Sequence, residues 1–169
     1  DVSIYEMMMA LHIGATLYIT PRDIRMPGRE LVDFMTDQKI THATLTPGVL
    51  AVLPEAKLPD LAVVISAADK CTADVVSRWS VERQFFNAYG PTEVTIWSLI
   101  KEHDGKTMEM PIGKPINGLS VYVLDDYSFL RTLDKSLSKK ADIFPIKDAL
   151  MFIDARPLGG RGKSSQGES

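Results

Sequence analysis

The sequence predicts an α/β fold, a mainly parallel sheet with flanking helices, and three observations predict it. Strand-like and helix-like segments alternate with short connections, the pattern of a parallel sheet with helices on both sides. Leu61-Ala62-Val63-Val64-Ile65 is a continuous apolar run of the kind found in a strand covered on both faces. In Phe85-Phe86-Asn87-Ala88-Tyr89-Gly90-Pro91-Thr92-Glu93 an aromatic, apolar run is stopped by Gly-Pro, which leaves a polar cluster at a strand's carboxyl end. In open α/β sheets ligands sit at that edge, because its loops carry chemistry while the strands hold them still.

The elements follow in order. Ser3 and Glu6 have capping-box spacing at the mouth of a first helix. On it Ile4, Met7, Met8 and Leu11 fall on one face, which predicts core packing for the Met cluster, and Gly14 is placed to end the helix in the left-handed conformation. Residues 15–20 read as a strand stopped by Pro21, and 22–28 as a loop. A second helix spans about 29–38, with Leu31, Val32, Phe34 and Met35 inward and Asp33, Asp37 and Lys39 in solvent. Residues 40–45 form the next strand, and Thr46-Pro47 opens a short helix through Leu53, proline being suited to a first helical turn. After a linker at 54–60 comes the 61–65 strand, then a helix over about 72–79, then the strand that ends in the polar cluster. Beyond it, 94–100 alternates as a strand, 101–109 is a polar turn containing Asp104-Gly105, and 119–124 is one more strand.

With 169 residues, 45% of them hydrophobic, the chain is long enough for one domain with a real core. No apolar segment approaches the roughly 18 residues that span a bilayer, and no signal peptide opens the chain, so a cytoplasmic protein without a membrane partner is expected. Cys71 stands alone and is expected to be a buried or half-buried bystander, and His12, His42 and His103 are scattered, which excludes a zinc spacing. A formal charge of −3 provides no general attraction to nucleic acid. That charge is unevenly spread: residues 1–126 hold 11 Lys+Arg against 17 Asp+Glu, whereas 127–169 hold 8 against 5, which suggests two segments of different character.

The residue types in the polar cluster suit a nucleotide. Tyr89 offers a flat ring for a purine, Asn87 an amide that can donate to and accept from a base edge, and Thr92 a hydroxyl for a phosphate oxygen. Glu93 is a hard oxygen donor of the kind that holds magnesium beside substrate phosphates. The string Asn-Ala-Tyr-Gly-Pro-Thr-Glu resembles the signature loop of the adenylate-forming, AMP-producing enzymes, in a form closest to the adenylation domains of nonribosomal peptide synthetases. The resemblance continues in order. Asp1 to Glu6 is similar to the family's Phe-Asp-x-Ser motif without its Phe, Thr41 to Pro47 to its Thr-His-x-x-x-x-Pro strand and turn, and Pro111-Ile112-Gly113-Lys114-Pro115 to its Pro-Ile-Gly-x-Pro.

That resemblance implies a fragment of the large N-terminal region of an adenylate-forming enzyme, occupying 1–126. It implies ATP-dependent activation of an amino acid as aminoacyl-AMP, with ATP and Mg2+ as cofactors. It also implies a phosphopantetheine-bearing carrier domain and a condensation domain as partners. Nucleotide binding falls on Asn87, Ala88, Tyr89, Gly90 and Thr92, and the metal on Glu93. The substrate pocket falls on Asp1, Val2, Tyr5, Thr44, Ile65, Ala67, Ala88, Ile96 and Trp97, with Asp1 facing the substrate's ammonium. The uncharged wall implies a hydrophobic or aromatic amino acid, because no buried acid or base is present to pair a charged side chain. Two positions depart from the common pattern, Tyr5 where a Trp is common and Trp97 where something smaller usually stands. At 65–70, where the family usually has Ala-Gly-Glu-Ala with its backbone along the adenine, this chain has Ala68 for the Gly and Asp69 for the Glu.

After residue 126 the resemblance stops, and 127–169 reads as a divergent, basic, Ser- and Gly-rich tail with little order. Within it Gly159 to Ser164 has the last half of a phosphate loop, but Pro157 stands where the first Gly belongs. Lys139-Lys140 lacks the interleaved aromatics of a nucleic-acid patch. The family's phosphate loop and catalytic Lys are expected outside this chain, so no catalytic residue is assigned and the chain alone is expected to be inactive. An acyl- or aryl-CoA ligase of the same superfamily is the alternative activity, from which Asp1 separates the amino-acid reading, and a non-catalytic remnant is the alternative class.

Overall fold

The computed structural model describes residues 2–91, 94–106, 110–124 and 150–154. Their elements are α1 (Val2–His12), a 3-10 turn at Arg22–Ile24, α2 (Arg29–Asp37), β1 (His42–Leu45), α3 (Pro47–Val52), β2 (Val63–Ser66) and α4 (Ala73–Trp79). β3 (Gln84–Tyr89), β4 (Leu99–His103), β5 (Lys114–Pro115), β6 (Ser120–Leu124) and β7 (Leu150–Asp154) follow. The main sheet has the order β1-β2-β3-β4-β5, and β6 and β7 form a separate two-stranded pair. β1, β2 and β3 run parallel, joined by crossovers that contain α3 and α4. β4 and β5 are antiparallel additions, so the sheet is mixed. A parallel crossover takes about a dozen residues or more, and the 90–98 connection is too short for one.

Helices cover both faces of the parallel half. On one face Leu31, Val32 and Met35 of α2, Leu50 of α3 and Val75, Val76 and Trp79 of α4 pack against Val64 of β2 and Phe85 of β3. The indole N–H of Trp79 donates to the Leu50 carbonyl at 2.9 Å, which ties α4 to α3. On the other face Val2 and Tyr5 of α1 pack against Ile65, Ala88 and Trp97. The two sets separate because successive strand residues point to opposite faces. The lone thiol of Cys71 is 2% exposed, at the edge of the first core.

Local signals end the helices as expected, with one variation. Gly14, at φ 73°, closes α1, with the Ala15 N–H bonded to the Ala10 carbonyl at 2.8 Å. Lys39 closes α2 in the same left-handed conformation without the freedom of glycine, the Ile40 N–H reaching the Met35 carbonyl at 2.9 Å. The Thr46 hydroxyl accepts from the Val49 N–H at 3.4 Å and starts α3.

Several expectations are corrected. Residues 15–20 form no strand, because no described segment supplies a ladder for them. Ser3 lies inside α1 rather than at its cap, since the helix begins at Val2, and Asp1 lies outside the described residues. The Met cluster is not core: Ile4, Met7, Met8 and Leu11 are 54%, 43%, 60% and 64% exposed, and α1 buries none of its residues fully. Periodicity shows that a helix has an apolar face, but what covers that face is a tertiary fact. The strand expected over 94–100 begins at Leu99, because Thr95 and Ile96 have φ of 63° and 66°, and runs on to His103. The segment read as a divergent tail includes β7, which pairs antiparallel with β6 from Ser120↔Asp154 to Leu124↔Leu150, and its other residues lie outside the described ones. None of the described helices is long and apolar enough to cross a membrane.

Gly113 explains why Pro111 to Pro115 reads as it does. Its φ is 103°, and a Cβ there would sit 2.1 Å from the Ile100 carbonyl oxygen and 2.6 Å from the Lys101 nitrogen. Only glycine lets β5 close onto β4. Gly113→Ala should therefore lower stability by about 2 kcal/mol or more, read as a reduced urea midpoint at unchanged slope. An unchanged midpoint would mean that this close approach is not needed.

Candidate functional site

The candidate site lies at the carboxyl ends of β2 and β3, where the sheet changes from parallel to antiparallel. β3 ends with Ala88 buried and Tyr89 38% exposed. The chain then turns through 90–98 and returns at once, closed by the Ser98 N–H donating to the Tyr89 carbonyl at 2.8 Å. A Cβ at Gly90 would meet the Ile96 carbonyl oxygen at 2.3 Å and the Trp97 Cα at 2.8 Å, so the two arms of the loop touch through backbone alone. Opposite Gly90 stand Thr95 and Ile96, consecutive β-branched residues in the left-handed region. Each costs about 1–2 kcal/mol relative to a right-handed conformation, a strain that persists only where the surroundings over-determine it.

β2 ends beside this loop. Ser66 is level with Asn87 in the parallel register, so Ala67 and Ala68 emerge next to Ala88 and Tyr89. Ala68 has a φ of 73°, the conformation that glycine adopts without cost. The residue that stands where the resemblance expects glycine thus keeps the glycine backbone and bears the strain.

The structure gathers most of the expected pocket. Val2, Tyr5, Ile65, Ala67, Ala88, Ile96 and Trp97 share one apolar cluster, and Thr44 is level with Ile65 on the adjoining strand. Tyr5 and Trp97 meet edge to face, with ring centroids 5.5 Å apart at 76°. Burial pushes the Tyr5 phenol up from its usual range, the Trp97 indole N–H opposes that shift, and nearby Glu6 adds to it. Burial likewise pushes the Glu6 carboxyl up. The Trp97 Nε1 is buried, and the Tyr5 hydroxyl is the polar group beside it. Phe86 and Ile100 also join the wall, although the residue chemistry did not single them out. Strand alternation could have found Phe86, two residues before Ala88 and level with Ile65.

Asn87 takes a different position. It is 6% exposed, faces the core opposite the cluster, and donates through Nδ2 to the Pro111 carbonyl at 3.3 Å. One N–H of its amide therefore holds the Pro111 segment. Thr92 and Glu93, expected at phosphate and metal, and Asp1, expected at the substrate's ammonium, lie outside the described residues. Among the described residues no group of His, Cys, Asp and Glu is arranged to hold a metal ion. A shallow depression along Lys101 to Asp104 lies at the opposite end of β3, away from this site.

The profile of the AMP-binding enzyme family matches residues 1–130. The chain belongs to that family. A linear gramicidin synthase subunit of Brevibacillus parabrevis is 45% identical over 127 residues, which cover 74% of this chain and 2% of that protein. Bacitracin synthase 3 of Bacillus licheniformis is 42% identical over 125 residues, again 74% of this chain and 2% of the relative. The chain thus spans a small fraction of the length of these relatives. Among solved structures, a four-domain nonribosomal peptide synthetase bound to AMP and glycine superposes with a TM-score of 0.69 at 25% identity, over 77% of this chain and 10% of that one. The Vibrio cholerae adenylation domain AlmE, in complex with glycyl-adenosine-5'-phosphate, superposes at 0.67 and 21% identity, over 77% of this chain and 26% of its own, and shares the fold. The mixed sheet with flanking helices is that of a fragment of an adenylation domain.

Relief of the left-handed strain at the end of β2 is measurable. Ala68→Gly should stabilise the chain by about 1 kcal/mol, the cost of an L side chain in that region less the added freedom of the unfolded glycine. Urea unfolding that shows a loss of stability instead would mean that the Ala68 methyl makes contacts worth more than its strain.

Proposed function

We propose that the chain forms the nucleotide- and amino-acid-binding part of an enzyme that activates an amino acid as its aminoacyl-AMP. The observation that carries this reading is the convergence at one sheet edge of Tyr89, the Ala67-Ala68 backbone and a single apolar cluster made of the residues expected to line a substrate pocket. The edge fits an adenine in kind, with an exposed aromatic ring beside a backbone segment that carries only methyl side chains. Tyr89 stacks on the base, Ala88 and Gly90 flank it with backbone, Asn87 fixes the strand behind it, and Thr92 meets phosphate. Glu93 is the magnesium ligand in this proposal, and ATP supplies the activated phosphoryl group to which the carboxylate is joined.

The pocket face holds the acid. Asp1 receives the ammonium, while Ile65, Ala88, Ile96 and Trp97 receive a hydrophobic or aromatic side chain, because a charged one would be buried there without a partner. Holding both reactants at one edge converts a bimolecular encounter into a positioned one. In this reading residues 1–126 belong to the adenylating unit and 127–169 to a segment of different character. The wider partners are a carrier domain bearing phosphopantetheine and a condensation domain.

The test is amino-acid-dependent pyrophosphate exchange by the adenylating enzyme that contains this chain. Glu93→Ala should reduce exchange by about 100-fold with little change in stability, since it removes a charge-stabilising group from a loop. Tyr89→Ala should chiefly raise the KM for ATP, because stacking acts equally in ground and transition states. Exchange unchanged in both variants would remove the β3–β4 loop from the chemistry.

A further inference from the structure

At the start of β3, the opposite end of that strand from the candidate site, two guanidiniums gather on one indole. The Cζ atoms of Arg78 and Arg83 each lie 5.5 Å from the centre of the Trp79 ring, so the two charges are at most twice that distance apart. Physiological salt screens over about 8 Å, which leaves their repulsion only partly shielded. Among the described residues no carboxylate makes an ion pair with either. Arg78 donates through Nη2 to the Leu53 carbonyl at 2.5 Å, and it stands in the last turn of α4, where a cation suits the helix dipole. Arg83 lies beyond that helix and has neither reason to be there. Its Nε is buried without an acceptor, and burial pulls its pKa below the usual range, opposed only by Glu82 acting through space. Both arginines stay partly exposed, and two exposed apolar residues accompany them: Val52, next to Leu53 in the chain, and Val81, two residues before Arg83.

We propose that this face docks an acidic segment of a neighbouring domain, which sets a carboxylate on the Arg78 and Arg83 pair and an apolar side chain on the valines. Guanidinium forks match carboxylates through paired hydrogen bonds, and arginine and tryptophan are the residues enriched where interfaces bind most strongly. An anion at the pair replaces one repulsion with two attractions. Nucleic acid fits less well, because two cations in a stretch that is acidic as a whole, 1–126, fall short of what a phosphate backbone demands. A free phosphate finds no helix N-terminus there, since α4 presents its C-terminal end. The relatives of which this chain spans 2% are far longer polypeptides, and a neighbouring domain of such a polypeptide is the source of the segment. Because the face lies at the far end of β3, the docking is separate from the chemistry at the carboxyl edge.

The test places a photo-crosslinking residue, benzoylphenylalanine, at Val81 in the complete polypeptide that contains this chain. Irradiation should join it to a carboxylate-bearing segment of another domain. The yield should fall about tenfold or more when Arg78→Gln and Arg83→Gln are combined, as expected for the loss of charge-assisted hydrogen bonds. Salt raised to about 1 M, where screening acts over roughly 3 Å, should lower the yield with both arginines in place. That salt series decides the matter even where the paired variant folds poorly. Cross-links confined to this chain, or made to a segment without carboxylates, would overturn the proposal. So would a yield that neither salt nor the two substitutions change. Suppression of the cross-link by added RNA or inorganic phosphate, with no acidic segment joined in their absence, would assign the face to those anions and overturn it as well.

Discussion

The close approach of Gly90 to the Ile96–Trp97 backbone is the constraint on which the site depends. It folds the 90–98 connection back on itself, and the Ser98 N–H bonded to the Tyr89 carbonyl fastens the fold where β3 ends. One consequence is that Tyr89 stays at the surface, available to a planar ligand, while Trp97 is driven into the opposite face. The other is the strain at Thr95 and Ile96, which the surrounding packing must hold. A side chain at Gly90 would force these arms apart and move both aromatic residues at once.

The sheet divides labour between its faces. The face covered by α2, α3 and α4 holds a continuous core around Val64 and Phe85, closed by the Trp79 hydrogen bond across two helices. The other face packs fewer groups and has the pocket residues on it. Because alternate strand residues point to opposite faces, Phe85 can anchor the core while Phe86 and Ala88 line the pocket from the same strand. Asn87 belongs to the first face by this alternation, which is why it secures the Pro111 segment and brings Gly113 against β4. Stability and recognition are thus coupled through a single strand.

Much of this was legible in the sequence. The 61–65 run, the Gly90-Pro91 stop and the Thr46-Pro47 helix start are local signals, and local chemistry settled them. The pocket residues were gathered by resemblance, and their spacing on alternate positions of β2 and β3 agrees with one face. What was not legible depended on partners. Residues 15–20 have strand-like composition but no described strand beside them, Tyr18 resting instead on Phe34 of α2, and the apolar stripe of α1 has no described surface to cover it. The late start of β4 depends on two β-branched residues in a conformation that they disfavour, which no propensity foretells. Ala68 is the reverse case: resemblance marked it as a replaced glycine, and its left-handed backbone shows what that glycine would have been for.

The most direct test of the central claim is a structure of the enzyme containing this chain with a non-hydrolysable aminoacyl-adenylate analogue. The account predicts adenine against the Tyr89 ring and along the Ala67-Ala68 backbone, with the amino-acid side chain among Tyr5, Ile65, Ala88 and Trp97. Density for the analogue at the opposite end of β3, or with its base away from Tyr89, would contradict it.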